Sequence, residues 1–121
     1  MGQASDVVNR FYEVTNARRA QDLAPLVRDD VTLVGPLMQA AGAAEYLAMN
    51  EQLLGFHAGT RMLRQFEDGD DVCSIYELDM KTPSGGSLTL AMADWIRVED
   101  GRIVSQRIYF DPRGFAQAFS M

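Results

Sequence analysis

Only one cysteine and one histidine occur among the 121 residues. A lone Cys73 cannot close an internal disulfide, so the fold is expected to stand without one, as in a reducing cytoplasm. A lone His57, between the third predicted helix and the next strand, lacks partners at metal-ligand spacing and builds no zinc site; it is expected to be structural or to sit at a pocket rim. Positive charge is also in deficit, with 11 Lys and Arg against 17 Asp and Glu, a formal net charge of -6. Such a field disfavours nucleic acid and anionic membranes as partners. No apolar run approaches the length that spans a bilayer, and Met1 to Asp6 lack the basic-then-apolar order of a secretory leader, so a cytoplasmic place is expected. Phosphate loops, the dinucleotide glycine fingerprint and the Gly-x-Ser-x-Gly elbow are missing. Asp29-Asp30, Asp68 and Asp70-Asp71 lack the ligand spacing of a calcium loop and read as solvated turns. No cofactor or metal is expected.

What remains is a globular composition, 47% hydrophobic and 23% charged, in a length that suits one domain over residues 1–121. From Ala4 to about Arg18, Val7, Val8, Phe11 and Val14 recur at helical spacing, with Ser5 or Asp6 placed to cap the start. A shorter helical piece is expected over residues 21–27, with Pro25 near its first turn. Val31 to Val34 is a β-branched run stopped by Gly35-Pro36. An alanine-rich segment between Met38 and Leu54 predicts a third helix, with Tyr46, Leu47, Asn50, Leu53 and Leu54 on one face and Gly55 ending it. Thereafter the period changes to two, and turn signals at Asp68-Gly69-Asp70, Pro83 to Gly86 and Glu99-Asp100-Gly101 mark off four strands. Helices first and antiparallel strands afterwards is the order of an α+β domain. Phe115 and Phe119, one helical turn apart, predict an apolar tail that covers an open end of the core.

The strand from Leu88 to Val98 has two unlike faces. One carries Leu88, Leu90, Met92, Asp94, Ile96 and Val98, so if that face is inside, Asp94 is a carboxyl set into an apolar wall, which costs several kcal/mol unless it is paired or protonated. Perturbed carboxyls in clefts are where acid–base chemistry is found. By the same alternation Val72, Ser74, Tyr76, Leu78 and Met80 point inward, as do Val104, Gln106, Ile108 and Phe110. The predicted site is an apolar pocket with Asp94, Tyr76 and Gln106 as its polar, catalytic points. Tyr12, Phe11, Leu78, Leu90, Met92, Ile108, Phe110, His57 and Tyr46 are expected to contact the substrate, with the Gly35–Gly42 loop as the mouth. The opposite face offers Ile75, Ala93 and Trp95, an apolar patch predicted to pair two copies through the convex side of the sheet.

Three segments carry a resemblance: Val8-Asn-Arg-Phe-Tyr-Glu with Asn16-Ala, Leu26-Val-Arg-Asp-Asp-Val-Thr-Leu, and Asp94-Trp-Ile-Arg-Val-Glu-Asp-Gly-Arg-Ile-Val. With the element order they resemble the NTF2-like superfamily of nuclear transport factor 2, ketosteroid isomerase, limonene epoxide hydrolase and SnoaL-type polyketide cyclases. Arg107-Ile-Tyr-Phe-Asp is similar to the end of the epoxide hydrolases' last strand, whereas Arg18-Arg19 replaces a small-acidic pair common after the first helix. The resemblance implies a cone-shaped, cystatin-like fold: a curved antiparallel sheet with three N-terminal helices enclosing a pocket. Ketosteroid isomerase would place a tyrosine, a base aspartate and a protonated aspartate where this chain holds Phe11, Gly35 and Asp94, so steroid isomerisation by that route is not expected. The Asp-Arg-Asp set of the epoxide hydrolases falls on Tyr76, Leu78 and Ile108. The resemblance therefore implies a SnoaL-like isomerase, cyclase or dehydratase without a cofactor, acting on an apolar polyketide-like or terpenoid-like molecule with Asp94 as general acid or base. A binding module that holds a hydrophobic ligand or a partner without turnover is the rival expectation, and a rearranged epoxide hydrolase a third.

Overall fold

A computed structural model describes residues 2–120. Helix α1 (Gln3–Asn16) leads through a short 3-10 helix (Ala20–Leu26) into β1 (Val27–Val34), β2 (Gln39–Ala41) and α2 (Ala43–Leu54). Strands β3 (His57–Asp68), β4 (Asp71–Lys81), β5 (Ser87–Glu99) and β6 (Arg102–Tyr109) follow, and α3 (Arg113–Ala118) closes the chain. All six strands form one curved, unclosed sheet in the order β2-β1-β6-β5-β4-β3. The sheet is antiparallel except where β1 lies parallel to β6, a pairing that the sequence reading did not anticipate.

Several boundaries differ from expectation for local reasons. The third helix starts only at Ala43, because residues 39–41 fold back on β1, pairing Thr32 with Ala41 and Val34 with Gln39. Gly42, at φ 91°, makes the turn between that short strand and the helix, a conformation costly for any side chain. Pro25 lies in the last turn of the 3-10 helix and not its first. The three turns that join β3 to β4, β4 to β5 and β5 to β6 fall where glycine permits positive φ, with Gly69 at 62°, Gly85 at 90° and Gly101 at 76°.

Helix α1 buries Val8, Phe11, Tyr12, Val14 and Thr15 against the concave face of the sheet, while Val7 is only half-buried. Its N-terminus is not capped by Ser5 or Asp6. Glu67, near the end of β3, instead accepts from the Gly2 amide at 2.9 Å and the Ser5 amide at 2.9 Å, the same two positions that a capping box satisfies. A Cβ on Gly2 would stand 2.5 Å from Glu67 Oε1, so glycine there allows the approach. These amide donors, the Ser5 backbone foremost, hold the Glu67 carboxyl below its ordinary pKa. A carboxyl lowered by folding stabilises above its unfolded pKa, and that contribution is lost as pH falls through the native value. Glu67→Ala is therefore expected to lower the melting temperature at neutral pH, with the gap to the parent closing in acid; a gap of constant size across that titration would rule out the capping role.

Candidate functional site

Strand alternation in β5 places Leu90, Met92, Asp94, Ile96 and Val98 on the buried face, as the two-residue period requires. Register then brings the polar groups together. Asp94 lies opposite Ser74 on β4 and Ile108 on β6, so Tyr76 and Gln106 stand diagonal to it on the same face. Helix α1 crosses above and delivers Tyr12. The Asp94 side chain, 1% exposed, receives three donors: Tyr12 Oη to Oδ2 at 2.7 Å, Tyr76 Oη to Oδ2 at 3.3 Å, and Gln106 Nε2 to both oxygens at 3.0 Å. The Tyr46 hydroxyl on α2 donates to Gln106 Oε1. That contact sets the orientation of the amide, leaving its NH2 toward the carboxyl.

Charge and solvation oppose each other here. Burial pushes the Asp94 pKa up to about 6, against the pull of the Tyr12, Gln106 and Tyr76 donors. Burial and the neighbouring carboxylate raise the Tyr12 and Tyr76 hydroxyls well above their ordinary value, so both remain donors. Oδ2 carries three contacts and Oδ1 one, which leaves Oδ1 the oxygen with capacity to spare.

This group forms the floor of a cavity of about 100 Å3. Its walls are apolar, made by Phe11, Leu78, Leu90, Met92, Ile108 and Phe110, and Phe115 of α3 lies against them. Phe115 stacks on Phe119 at 4.4 Å, and Phe119 meets Phe56 edge-on at 5.0 Å, so the C-terminal segment covers that side as expected. His57, Asn50, Thr15 and Thr60 also line the cavity. His57 opens β3 and is buried, its ring held by Asn16 Oδ1 at 3.1 Å. Burial and the nearby Arg18 charge lower its pKa, so the ring is neutral at neutral pH.

Two expected placements need correction. Tyr46 does not line the cavity; it is fully buried behind Gln106, because α2 packs on β1 and the 3-10 helix and only the Tyr46 hydroxyl reaches across to β6. Of the Gly35–Gly42 segment only Met38 reaches the cavity, since residues 39–41 are committed to pairing with β1. Tyr12, expected to contact the substrate, lines the cavity and also makes the shortest contact to Asp94. Among the described residues no group of three or more His, Cys, Asp or Glu side chains is arranged to hold a metal.

The profile of the SnoaL-like domain matches residues 8–106, four-fifths of the chain. The chain belongs to the SnoaL-like family. An NTF2-like protein of unknown function from Cytophaga hutchinsonii shares 28% identity over 93% of both chains, with a TM-score of 0.80. A second NTF2-like protein of unknown function, from Burkholderia pseudomallei, is 20% identical over the full length of both chains, TM-score 0.86. A protein from Catenulispora acidiphila with a ketosteroid isomerase-like fold, solved in complex with trimethylamine, is 14% identical over 95% of this chain and 92% of its own, TM-score 0.78. No curated protein matches. At these identities the last two likenesses concern the fold.

In this SnoaL-like domain Phe11, Tyr76, Leu78 and Ile108 line the cavity, while Gly35 does not. Asp94 is thus the one carboxyl in the cavity wall. Because folding raises its pKa from 3.8 to about 6, the native state holds the proton more tightly, and stability falls as pH rises through that window, then levels off. The shift corresponds to about 3 kcal/mol. Between about pH 4 and pH 7 the stability of Asp94→Asn relative to the parent is expected to move by about that amount in the variant's favour. Parallel pH–stability curves for the two proteins would show that Asp94 is not perturbed.

Proposed function

We propose that this domain is a cofactor-independent acid–base enzyme, an isomerase, cyclase or dehydratase, that works on a hydrophobic small molecule with Asp94 as its proton carrier. The observation that supports the reading is a single buried carboxyl, with a pKa near neutrality, on the floor of an apolar cavity. A group that titrates at about 6 takes up and releases protons with little driving force lost at working pH. Oδ1 is the oxygen that exchanges the proton. Gln106, Tyr76 and Tyr12 hold the carboxylate in place and stabilise its charged form, and Tyr46 positions Gln106. The apolar walls exclude water and fold the substrate against the carboxyl. Neither carboxylates nor arginines line the cavity beside Asp94, so nothing there would hold and activate a hydrolytic water as an epoxide hydrolase must.

Loss of Asp94 should cost two to four orders of magnitude in rate, the usual worth of a positioned general acid or base. In D2O, candidate carbonyl and hydroxylated compounds are expected to exchange protons or rearrange with the parent and not with Asp94→Asn, and the rate is expected to change with an inflection near pH 6. Thermal stabilisation by ligands without exchange or product, or equal rates in the two proteins, would favour a binding module instead.

The convex face supports a homodimer. Cross-strand register aligns Ile75, Ala93 and Tyr109 in one row and Phe66, Cys73, Trp95 and Arg107 in the next. Ile75, Trp95, Tyr109 and Phe66 are all exposed there, a contiguous patch of the kind that oligomers cover. Among the described helices none is long and apolar enough to cross a membrane, and a cytoplasmic place would keep the Cys73 thiol reduced. Sedimentation equilibrium is expected to give twice the chain mass, and Trp95→Glu the mass of one chain; a monomeric parent at micromolar concentration would refute the pairing.

A further inference from the structure

Every buried donor group that lines the cavity already has a partner. Tyr12 Oη, Tyr76 Oη and Gln106 Nε2 all give their hydrogens to Asp94, and Thr15 Oγ1 donates to the Tyr12 carbonyl. His57 follows the same rule. The Thr60 backbone amide donates to Asn16 Oδ1 at 3.1 Å, which fixes that atom as oxygen, so the His57 Nε2 beside it must carry the proton. Nδ1 of the neutral ring is then an acceptor. Free capacity in the buried part of the cavity around Asp94 is therefore acceptor capacity: Asp94 Oδ1 at the floor and the two phenol oxygens beside it.

Among the described residues every side chain that hydrogen-bonds Asp94 does so as a donor: Tyr12 from α1, Tyr76 from β4 and Gln106 from β6, with Tyr46 of α2 behind the amide. Ser74, opposite Asp94 on β4, has its hydroxyl oxygen engaged by Gln65 Nε2 at 3.0 Å. Burial holds all three tyrosines well above their ordinary pKa, so none can become an acceptor-only anion to compete with Asp94. These donors all favour the ionised carboxyl, against the burial that raises its pKa. A ligand carbonyl or ether would bring an acceptor against these acceptors, and burying two unpaired acceptors together is costly.

Bulk narrows the class further. A cavity of about 100 Å3 that is open on one side is of the same order as the roughly 150 Å3 that accommodates benzene. A fused polycycle cannot enter whole; a single ring or short chain fills the inner part, and anything longer extends toward His57.

We infer that the substrate is a small, uncharged, mostly apolar molecule that presents a hydroxyl to Asp94, as an alcohol, phenol or enol, and not one recognised through a carbonyl or ether oxygen. This deepens the proposed acid–base function and rests on the cavity being the substrate site. Where that hydroxyl is a phenol or an enol, acidic enough to give its proton to a carboxylate, it also sets the direction of the first proton transfer, from ligand hydroxyl to carboxylate.

Four one-ring probes test it: cyclohexanol, cyclohexanone, methoxycyclohexane and cyclohexylammonium, each titrated calorimetrically into the parent near pH 7.5. Cyclohexanol is expected to bind about tenfold or more tightly than the ketone or the ether, the discrimination a charged hydrogen bond provides. In Asp94→Asn, or in the parent near pH 5 where the protonated carboxyl supplies a donor, the alcohol's advantage should contract to about threefold or less. The pH arm uses the parent alone, so a variant that failed to fold would not remove the test. Equal binding of ketone and alcohol, no binding by any probe, or a cation that outcompetes the alcohol would each overturn the inference, the last in favour of an amine ligand. Such a failure beside intact Asp94-dependent turnover would refute only the hydroxyl class, whereas selective binding without turnover would refute only the catalysis.

Discussion

An ionised carboxyl taken out of water has to be compensated by donors, and in this domain those donors come from separate parts of the chain. Tyr12 belongs to α1, Tyr76 to β4, Gln106 to β6, and Tyr46, which aims the Gln106 amide, to α2. The Asp94 network therefore fixes how both long helices sit on the sheet as well as forming the site. Register is fixed with it: a slip of one residue in β5 would carry Asp94 to the convex face and Trp95 into the cavity. The donors offset only part of the desolvation, since the carboxyl still titrates near 6. The remainder, about 3 kcal/mol, is destabilisation carried by the native state at neutral pH.

That residual cost is difficult to explain by folding alone. An apolar side chain at position 94, between Met92 and Ile96, would pack without it, and buried ionic groups commonly can be replaced by hydrophobic ones with no loss of stability. Stability held back at one position while the surrounding wall is optimised for burial is the usual mark of a site kept for chemistry. The second buried polar centre, around His57, differs in kind: Asn16 Oδ1 ties the ring and the Thr60 amide together at the junction of α1 and β3. It ties a corner of the fold together, and His57 is one of the residues that line the cavity.

The sequence disclosed the site wherever one strand period governed it. Alternation through residues 88–98 and 72–80 was unbroken, and it identified Asp94 and Tyr76 as inward; the same period on β6 found Gln106. It could not anticipate the irregularity between Arg97 and Val98, which lets Ile103 and Val104 both be buried. For Tyr12 the sequence indicates a place on the cavity and not the partner of its hydroxyl. Helical periodicity assigns a side chain to a face and carries nothing about a hydrogen bond to a residue 82 positions away. Nor does anything local predict β2, three residues that form a strand because a Gly35-Pro36 turn returns them to β1. The parallel pairing of β1 with β6 likewise depends on contacts about 75 residues apart, Val27 with Ile103 for example. Such long-range consequences belong to the assembled sheet and leave no mark on short windows of sequence.

The same donor arrangement explains how binding and chemistry can be coupled in the proposed reaction. While Asp94 is ionised the cavity floor only accepts, and a ligand hydroxyl is its complement. Once the proton has passed to Oδ1, the carboxyl becomes a donor directed at the oxygen that gave it up, so the resulting oxyanion is held where the hydroxyl was. Tyr12, Tyr76 and Gln106 need not move for this, because their contacts to Oδ2 and to the carboxyl as a whole persist in both states. A site whose hydrogen-bonding polarity is reversed by one proton, within a fixed frame, favours the ligand before transfer and the product after it with no reorganisation of the walls. That is the electrostatic preorganisation that acid–base catalysis in a dry cavity requires.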